Sequence, residues 1–383
     1  MTVSDSPGQL PDERRAQMVE LLRRRGVVRV HELAAELDVS AITIRRDIAL
    51  LSSQGVIRRV RGGAALHGRP LAQTLPSVET EARTGEEPPP QPASAEERQV
   101  TIGMVVPSLT YYYPDVIKGV REAAAEYGAR IVLRGGGYQA ADERRQLSRM
   151  LETAGVDGLL VTPTTTGEEG EALVRWLQDA DVPVVLIERA ATVGPYHEAM
   201  ESVVSDHAFG AAMAVRHLVA LGHQRVGLVT TQQSPTAPHV RRGWRQACEE
   251  LALRLDGTPD LSTVDQLHPE WPATLDRVLD ECLASGTTAL LVHSDPEAIS
   301  LVERCQERGL QVPRDLAVVA YDDEVAELCD PPLTAVRPPK TAIGQAAFAL
   351  LAARLADEDP QRPAHRVVIE PRLIVRASSS SRA

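Results

Sequence analysis

The segment from residue 100 to residue 376 alternates short apolar runs with amphipathic helical stretches, and this alternation restricts the fold more than any other feature of the sequence. The apolar runs are Val100–Val106, Arg130–Leu133, Gly158–Val161, Val182–Ile187, Ser202–Val204, Arg225–Val229, Ala289–Val292 and Leu316–Ala320. Runs that are apolar on both faces and separated by helices are typical of a parallel sheet covered on both sides. The number of these units predicts a doubly wound α/β architecture with two lobes rather than one.

This periodicity does not extend through the whole chain. Residues 67–99 are rich in Pro, Glu, Ala and Ser, centred on Glu86–Pro90, and such a composition cannot bury a core. A chain of 383 residues also exceeds the usual size of a single core. We therefore expect a multi-domain protein with a compact head at 10–66, a flexible linker at 67–99, a body at 100–376 and a disordered tail at 377–383.

The net charge of −12 is unevenly distributed between these parts. Residues 1–68 contain 11 Arg, no Lys and 8 acidic residues, a balance of +3, whereas the rest of the chain carries −15. This asymmetry favours a head that tolerates a polyanion and a body that repels one.

The cysteines and the apolar runs indicate the compartment. Cys248, Cys282, Cys305 and Cys329 are isolated and form no C-x-x-C pair, so neither a zinc site nor a disulfide framework is predicted. The first ten residues lack the basic-then-apolar pattern of a signal peptide, and no apolar run reaches membrane-spanning length. We expect a cytoplasmic protein that has no membrane partner and no metal.

The head has the spacing of a helix-turn-helix. Its predicted helices are Leu10–Arg25, Val30–Leu37 and Ala41–Ser52. Ser40 is placed to cap the third helix, in which Ile44, Ile48 and Leu51 are expected to face the core. The opposite face of that helix is then free to enter the major groove of DNA.

A short wing follows the third helix, because Val56–Val60 and the next two glycines predict a β-hairpin. The run VHELAAELDVSAITIRRDIALLSSQGVIRRVRGGA resembles the DeoR-type winged helix, whose hallmark is V-S-x-x-T-I-R-R-D-L followed by a glycine-containing wing, with Ile48 here for the usual Leu. The DNA-binding candidates are Ser40, Ala41, Thr43, Arg45, Arg46, Arg58, Arg59 and Arg61. The alternative is a solvated arginine face on an unrelated helical hairpin.

Six segments of the body match one known family in order. They are TIGMVVPSLTYYYPDVIKGVREAAAEYG, VDGLLVTPT, VPVVLIER, VVSDHAFGAAMAVRHLVALGHQRVGLV, RRGWRQACEE and VPRDLAVVAYDDEVAELCDPPLTAVRPP. The body thus resembles the type I periplasmic-binding-protein-like sensor of the lactose repressor (LacI/GalR) family. The resemblance implies one lobe at about 100–204 plus 336–361, a second at about 205–335 plus 362–376, a homodimer, and a small-molecule effector, expected to be a sugar, between the lobes.

Ligand-binding candidates follow position by position from that resemblance. They are Tyr112, Tyr113, Arg241, Trp271, Asp295 and Asp322. Aromatic rings suit the C–H faces of sugars, and charged groups suit their hydroxyls. The family arginine falls on Val240, one place from Arg241, so the role of the arginine stays open. Either tyrosine could instead pack between the lobes, Trp271 could belong to a core, Asp295 could cap a helix and Asp322 could cap a turn.

The sequence contains none of the enzyme motifs that were sought. Gly135–Gly137 follow a strand but form neither G-x-G-x-x-G nor G-x-x-x-x-G-K-[ST], and neither H-E-x-x-H nor G-x-S-x-G occurs. No cofactor is expected. The sequence therefore predicts a transcriptional repressor rather than an enzyme, whose affinity for a double-stranded DNA operator responds to a sugar. The alternatives are an activator and a DNA-binding protein whose sensor domain binds no sugar.

Overall fold

The chain divides into two compact units, an N-terminal one up to Pro92 and a C-terminal one from Ala93. The computed structural model describes residues 11–25, 27–29, 32–33, 36–37, 39, 44, 48, 51, 57–60, 63–66, 99–137, 140–232, 234–264, 266, 268–357, 359 and 361–379. The predicted linker therefore lies outside the described residues, apart from Gln99.

Apolar side chains at helical spacing build a small core in the N-terminal unit. The first helix, α1, spans Pro11–Arg25. The buried apolar side chains of this unit are Met18, Leu22, Val28, Leu33, Leu37, Ile44, Ile48, Leu51 and Ile57. Ile44, Ile48 and Leu51 therefore face the core, which confirms the orientation predicted for the third helix.

Three short strands form an antiparallel sheet in the same unit. They are β1 (Val27–Arg29), β2 (Ile57–Val60) and β3 (Gly63–Leu66). Strands β2 and β3 pair with Arg59 opposite Ala64, which confirms the predicted wing hairpin. Strand β1 pairs with the other edge of β3, a contact that the sequence did not predict because three residues are too few to show a period of two.

The first lobe of the C-terminal unit contains a six-stranded parallel sheet. Its strands are β4 (Thr101–Val106), β5 (Arg130–Gly135), β6 (Gly158–Val161), β7 (Val184–Ile187), β10 (Ser202–Ser205) and β16 (Arg366–Ile369). The order across the sheet is β16-β10-β7-β6-β4-β5. A separate hairpin lies between β7 and β10 and consists of β8 (Thr192–Val193) and β9 (Glu198–Ala199).

Four helices cover this sheet. They are α2 (Tyr113–Tyr127), α3 (Ala140–Ala154), α4 (Gly167–Gln178) and α9 (Lys340–Leu355). Helices α2 and α9 cross at very short range, because a Cβ built on Gly119 would lie 2.0 Å from the Thr341 carbonyl oxygen. A Cβ on Gly344 would likewise lie 2.1 Å from the Val116 carbonyl oxygen. Only glycine allows these two backbones to approach so closely.

The second lobe contains another six-stranded sheet. Its strands are β11 (Val226–Thr231), β12 (Asp260–Thr263), β13 (Ala289–His293), β14 (Ala317–Tyr321), β15 (Thr334–Arg337) and β17 (Arg372–Ile374). Its order is β12-β11-β13-β14-β15-β17, and only the pair β15–β17 is antiparallel. Its helices are α5 (His207–Ala220), α6 (Ala237–Glu250), α7 (Trp271–Ser285) and α8 (Asp295–Glu307).

The chain passes between the lobes three times. The connections follow β10, β15 and β16, and they lead into α5, α9 and β17 respectively. One predicted lobe boundary is wrong: Arg366–Ile369 pairs with β10 of the first lobe, whereas the sequence assigned all of 362–376 to the second. The reason is that the chain crosses back only after Ile369, at a turn that no hydrophobic period marks.

The beginning of the predicted disordered tail is ordered. Ala377–Ser379 form a 3-10 turn in which Ser378 and Ser379 are fully buried. The Ser378 hydroxyl donates to the Val318 carbonyl oxygen at 2.6 Å and accepts the Thr334 N–H at 2.8 Å. These bonds explain why a serine-rich segment packs against β14 and β15. Residues 380–383 lie outside the described residues.

Three further properties concern the described part of the chain. No helix there is long and apolar enough to cross a membrane. The same residues contain no group of three or more His, Cys, Asp or Glu side chains arranged to hold a metal ion. The four cysteines are unpaired and buried.

Candidate functional site

Strands from both sheets end beside the connections between the lobes. Strands β7 and β10 of the first lobe end at Ile187 and Ser205, and β14 of the second lobe ends at Tyr321. In open α/β sheets, ligands bind outside the carboxyl ends of the strands. The side chains around these strand ends form one polar network, which defines the candidate site.

Glu188 follows β7 and is the centre of the network on the first lobe. Its Oε1 accepts hydrogen bonds from the Tyr112 and Ser205 hydroxyls, both at 2.7 Å, and its Oε2 accepts the Ser205 N–H at 2.9 Å. The His207 Nε2, from the first residue of α5 in the second lobe, lies 3.5 Å from the same Oε2. Burial alone would raise the pKa of Glu188, but His207, Ser205 and Tyr112 lower it to about 2. Glu188 is therefore ionised and contacts both lobes.

Asp322 follows β14 and is the corresponding carboxylate of the second lobe. The Tyr111 hydroxyl, from the first-lobe loop after β4, donates to its Oδ2 at 3.1 Å. Lys340 Nζ, at the start of α9, donates to the Asp322 carbonyl oxygen at 2.7 Å and lies 5.4 Å from the centre of the Tyr112 ring. Burial raises the pKa of Asp322 to about 6, although the Lys340 ammonium opposes the shift. This part of the network therefore joins the lobes a second time.

Aromatic rings continue the network into the second lobe. The fully buried Tyr321 donates its hydroxyl to the His207 carbonyl oxygen at 3.1 Å, and the same hydroxyl lies 3.2 Å from His207 Nδ1. The ring centres of His293 and Tyr321 are 5.5 Å apart. Burial lowers the pKa of His293 to about 4, so this imidazole is neutral at physiological pH. The second lobe thus contributes two buried aromatic rings at the ends of β13 and β14.

Asp295 supports the loop after β14 instead of facing an open cleft. Its side chain is fully buried, Oδ1 accepts the Asp323 N–H at 3.2 Å, and Oδ2 accepts the N–H groups of Glu324 and Val325 at 2.6 and 3.0 Å. These bonds give Asp295 a role in positioning the loop, and its predicted ligand contact stays a prediction. The alternative of a helix cap is wrong, because Ser294 occupies the N-cap of α8.

Two aromatic candidates pack inside the lobes. Trp271, at the start of α7, is 9% exposed and belongs to the same core cluster as Leu275 and Val292, which is the alternative that the sequence left open. Tyr113 is 4% exposed, packs in the core of the first lobe and contacts the edge of the Tyr112 ring at 5.3 Å between ring centres. Tyr112 joins the network through its hydroxyl, which donates to Glu188.

Arg241 is already engaged by the sheet of the second lobe. Its Nε donates to Asp260 Oδ1 at 2.7 Å, and a terminal nitrogen donates to the Thr230 and Ser262 hydroxyls at 3.0 and 3.1 Å. Val240, at the position of the family arginine, is fully buried. Arg241 therefore ties α6 to β11 and β12.

Most of the predicted DNA-binding residues lie outside the described residues. These are Ser40, Ala41, Thr43, Arg45, Arg46 and Arg61. Arg58 and Arg59 belong to β2, where they pair with Ala65 and Ala64 of β3. Two adjacent arginines thus lie in the wing strand.

The ligand contacts predicted from the sequence do not include Tyr111, Glu188, His207 or Lys340. Glu188 carried a usable signal, because it directly follows an apolar strand in the same way as Asp322 and therefore falls at a strand end. His207 and Lys340 begin helices at the connections between the lobes, and no local pattern in the sequence marks such a connection.

Comparison with known proteins gives matches to both units. The profile described as a DeoR-like helix-turn-helix domain matches residues 14–69, and the one described as a periplasmic binding protein-like domain matches residues 215–379. The HTH-type transcriptional regulator of the aml 5'region of Streptomyces limosus is 31% identical over 349 residues, which cover 87% of this chain and 94% of the relative. The HTH-type transcriptional repressor PurR of Vibrio atlanticus is 28% identical over 270 residues, 68% of this chain and 76% of the relative.

Solved structures give the same result for the C-terminal unit. The complex of the transcriptional regulator CelR with cellobiose matches with a TM-score of 0.62 and 27% identity, covering 73% of this chain and 85% of that chain. Transcription regulator GntR from Chromobacterium violaceum matches with a TM-score of 0.61 and 27% identity, covering 73% of this chain and 99% of that chain.

A helix-turn-helix head and a body of two parallel α/β lobes define a DNA-binding transcriptional regulator, and they confirm the predicted fold class. The chain belongs to the LacI family of HTH-type transcriptional regulators, with a DeoR-like helix-turn-helix as its head. Membership of this family also confirms the prediction that the chain is not an enzyme.

Proposed function

We propose that this regulator is a repressor whose affinity for operator DNA is controlled by a sugar bound at the strand-end network of the body. The observation that carries the proposal is the pair of buried carboxylates, Glu188 and Asp322, that accept tyrosine hydroxyls at the strand ends of the two lobes. A site that offers carboxylate oxygens to hydroxyl donors next to aromatic rings has the chemistry that sugars require.

One relative supports the sugar effector, and another supports the role as a repressor. The structure that matches at 27% identity was solved as a cellobiose complex, and the 28% identical PurR of Vibrio atlanticus is named a repressor. Of the six residues that the sequence proposed as ligand contacts, Tyr112 and Asp322 are retained here. Their joint contact with Lys340 supports a single site.

The DNA contacts are proposed for the head, with Ser40, Ala41, Thr43, Arg45 and Arg46 in the third helix region and three wing arginines beside them. One small module contacts few base pairs, so we also propose a cytoplasmic homodimer that presents two heads to a paired operator. Residues 67–99 would then act as a tether between head and sensor, because their composition favours an extended chain.

Calorimetry of the full chain against cellobiose, ribose and a panel of monosaccharides tests the effector. We expect one sugar to bind, and we expect Asp322→Asn to weaken that binding by at least about tenfold, because a hydrogen bond to a charged group is lost. Asp256→Asn is the matched control, since the Asp256 side chain is 89% exposed in the same lobe. Absence of binding to every sugar would contradict the sugar part of the proposal.

Fluorescence anisotropy with an operator selected from random DNA tests the head. We expect Arg46→Ala to lose ~1–3 kcal/mol of operator affinity at fixed salt, whereas Arg23→Ala, on the exposed part of α1, should change it little. Adding the sugar should alter operator affinity, and a reporter gene behind the operator should be less expressed when the regulator is present. Higher expression would favour an activator instead.

A further inference from the structure

We propose that the Tyr111 hydroxyl is an internal competitor of the effector at Asp322, and that it is one of the contacts that hold the two lobes together until an effector hydroxyl replaces it. This inference rests on the proposed function, and it assigns a role to a residue that is not among the predicted ligand contacts.

Tyr111 and Asp322 belong to different lobes. Tyr111 lies in the loop between β4 and α2 of the first lobe, and Asp322 directly follows β14 of the second. The hydroxyl donates to Asp322 Oδ2 at 3.1 Å, and the Ser294 side chain at the start of α8 is a second hydrogen-bonding neighbour of the same hydroxyl. The phenol of the first lobe is therefore inserted among polar groups at the strand ends of the second.

The partner of Asp322 in this contact is electrically neutral. A ligand hydroxyl donates to a carboxylate in the same way as a phenol hydroxyl, so an exchange of one for the other leaves no buried charge without a partner. The chemistry of the contact thus makes the Tyr111 hydroxyl a stand-in for one hydroxyl of a sugar. A ligand without a hydrogen-bond donor at this position cannot complete the exchange.

The backbone on both sides of the contact is strained. Tyr112, next to Tyr111, has a φ of 63°, and Asp322 has a φ of 96°. Residues other than glycine keep such angles only where surrounding contacts hold them, and they concentrate at ligand-binding and switching segments. The Tyr111–Asp322 hydrogen bond is one of the contacts that hold these two loops, so its loss favours their relaxation.

A competitor of this kind reduces the apparent affinity for the effector by the fraction of molecules in which the contact is open. Removing the Tyr111 hydroxyl should therefore tighten effector binding, whereas removing an effector contact would weaken it. The same change should loosen the lobes relative to each other in the absence of any ligand, while the Lys340–Asp322 and Glu188–His207 contacts remain. These two consequences have independent measurements.

The first measurement is the distance between the lobes in the ligand-free full chain, by pulsed electron paramagnetic resonance between spin labels on Glu169→Cys and Glu303→Cys. Both glutamates are exposed, one in each lobe, and the four native cysteines are buried and should not be labelled. We expect Tyr111→Phe to broaden the distance distribution. Tyr196→Phe is the control, because Tyr196 is 85% exposed in the segment between β8 and β9.

The second measurement is calorimetry of the same proteins with cellobiose as the first probe and the monosaccharide panel after it. Tyr111→Phe should bind the sugar about tenfold more tightly, the lower end of what a hydrogen bond to a charged group contributes. Asp322→Asn should broaden the distances in the same way but weaken binding. Opposite effects on affinity with the same effect on lobe distance would support the competitor.

An unchanged distance distribution in Tyr111→Phe would overturn the inference whether or not a ligand is found. Weaker sugar binding by Tyr111→Phe would also overturn it, because Tyr111 would then be a direct ligand contact. If no sugar binds the unmodified protein, the proposed effector class fails, and the lobe distances alone decide the inference. Thermal melting of each variant confirms that it is folded.

Discussion

Replacement of Glu188 by glutamine should destabilise the C-terminal unit, since it removes a charge on which three hydrogen-bond donors converge. The pKa of Glu188 is lowered from 4.5 to about 2 against the effect of burial. Each pKa unit corresponds to about 1.4 kcal/mol, so the environment stabilises the ionised form by at most ~3.5 kcal/mol. Glutamine also directs an amide N–H2 toward a donor, which adds to the loss. We expect Glu188→Gln to lower the free energy of unfolding of the C-terminal unit by about 2–3 kcal/mol at pH 7.

The stabilisation by ionised Glu188 should decrease as the pH falls. The folded-state pKa lies below the unfolded-state value, so the stabilisation is fully present above pH 4.5 and is lost as the pH falls toward about 2. The free energy of unfolding of the unmodified protein should therefore exceed that of Glu188→Gln by a constant amount from about pH 7 to pH 5.5. By pH 3.5 this excess should be smaller by about 1.4 kcal/mol.

Urea unfolding followed by tryptophan fluorescence measures this difference in the full chain. The three tryptophans are Trp176, Trp244 and Trp271, all in the C-terminal unit, so the signal reports on that unit. Glu126→Gln is the matched control, because Glu126 is exposed on α2 of the same lobe. A loss below about 0.5 kcal/mol at pH 7, or a difference that stays constant down to pH 3.5, would refute the account of Glu188.

Two further predictions concern packing. In the same urea assay, Gly119→Ala should lower the free energy of unfolding by ~1–3 kcal/mol, because its methyl group meets the backbone of α9. Gly137→Ala is the control and should change stability little, because a Cβ at Gly137 has nothing within 4 Å. Equal effects of the two variants would argue against the close crossing of α2 and α9. Ser378→Ala should lose ~1–3 kcal/mol because the Thr334 N–H and the Val318 carbonyl oxygen are left buried without their partner, and an unchanged midpoint would show that the tail does not support the sheet.

The sequence predicted eight of the twelve strands of the two large sheets and missed four short ones, β12, β15, β16 and β17. The run Val182–Ile187 corresponds to β7 at Val184–Ile187, because a strand buried on both faces is apolar throughout. In contrast, β12 (Asp260–Thr263) and β16 (Arg366–Ile369) lie at the edges of their sheets, and both mix polar and apolar residues. A mixed run of four residues is too short to show a period of two, so neither strand was predicted.

For a similar reason, the sequence could not distinguish the roles of the two candidate aspartates. Asp322 and Asp295 both follow an apolar strand, yet one accepts a tyrosine hydroxyl from the other lobe and the other accepts three backbone N–H groups from its own lobe. The difference depends on how the loop after β14 folds over the start of α8. That fold involves residues about thirty positions apart, and the sequence around either aspartate does not specify it.

The loop after β14 also shows how neighbouring acidic residues acquire different roles. Asp323 is paired with Arg337 and Arg376 at 2.6 and 2.7 Å, and its side chain is 2% exposed. Glu324 is paired with the ammonium of Lys340. A ligand that displaced both arginines would leave the buried charge of Asp323 unpaired, which is strongly unfavourable.

Asp322 differs from these two neighbours because a neutral hydroxyl, that of Tyr111, bonds to its carboxylate. Lys340 contacts the Asp322 carbonyl oxygen and not this carboxylate, so the ammonium keeps its place when the hydroxyl is exchanged. Asp295 meanwhile fixes the backbone of Asp323, Glu324 and Val325, which holds these three ion pairs in position. The loop therefore combines a rigid part, whose charges are paired, with a single carboxylate whose partner an uncharged ligand can replace.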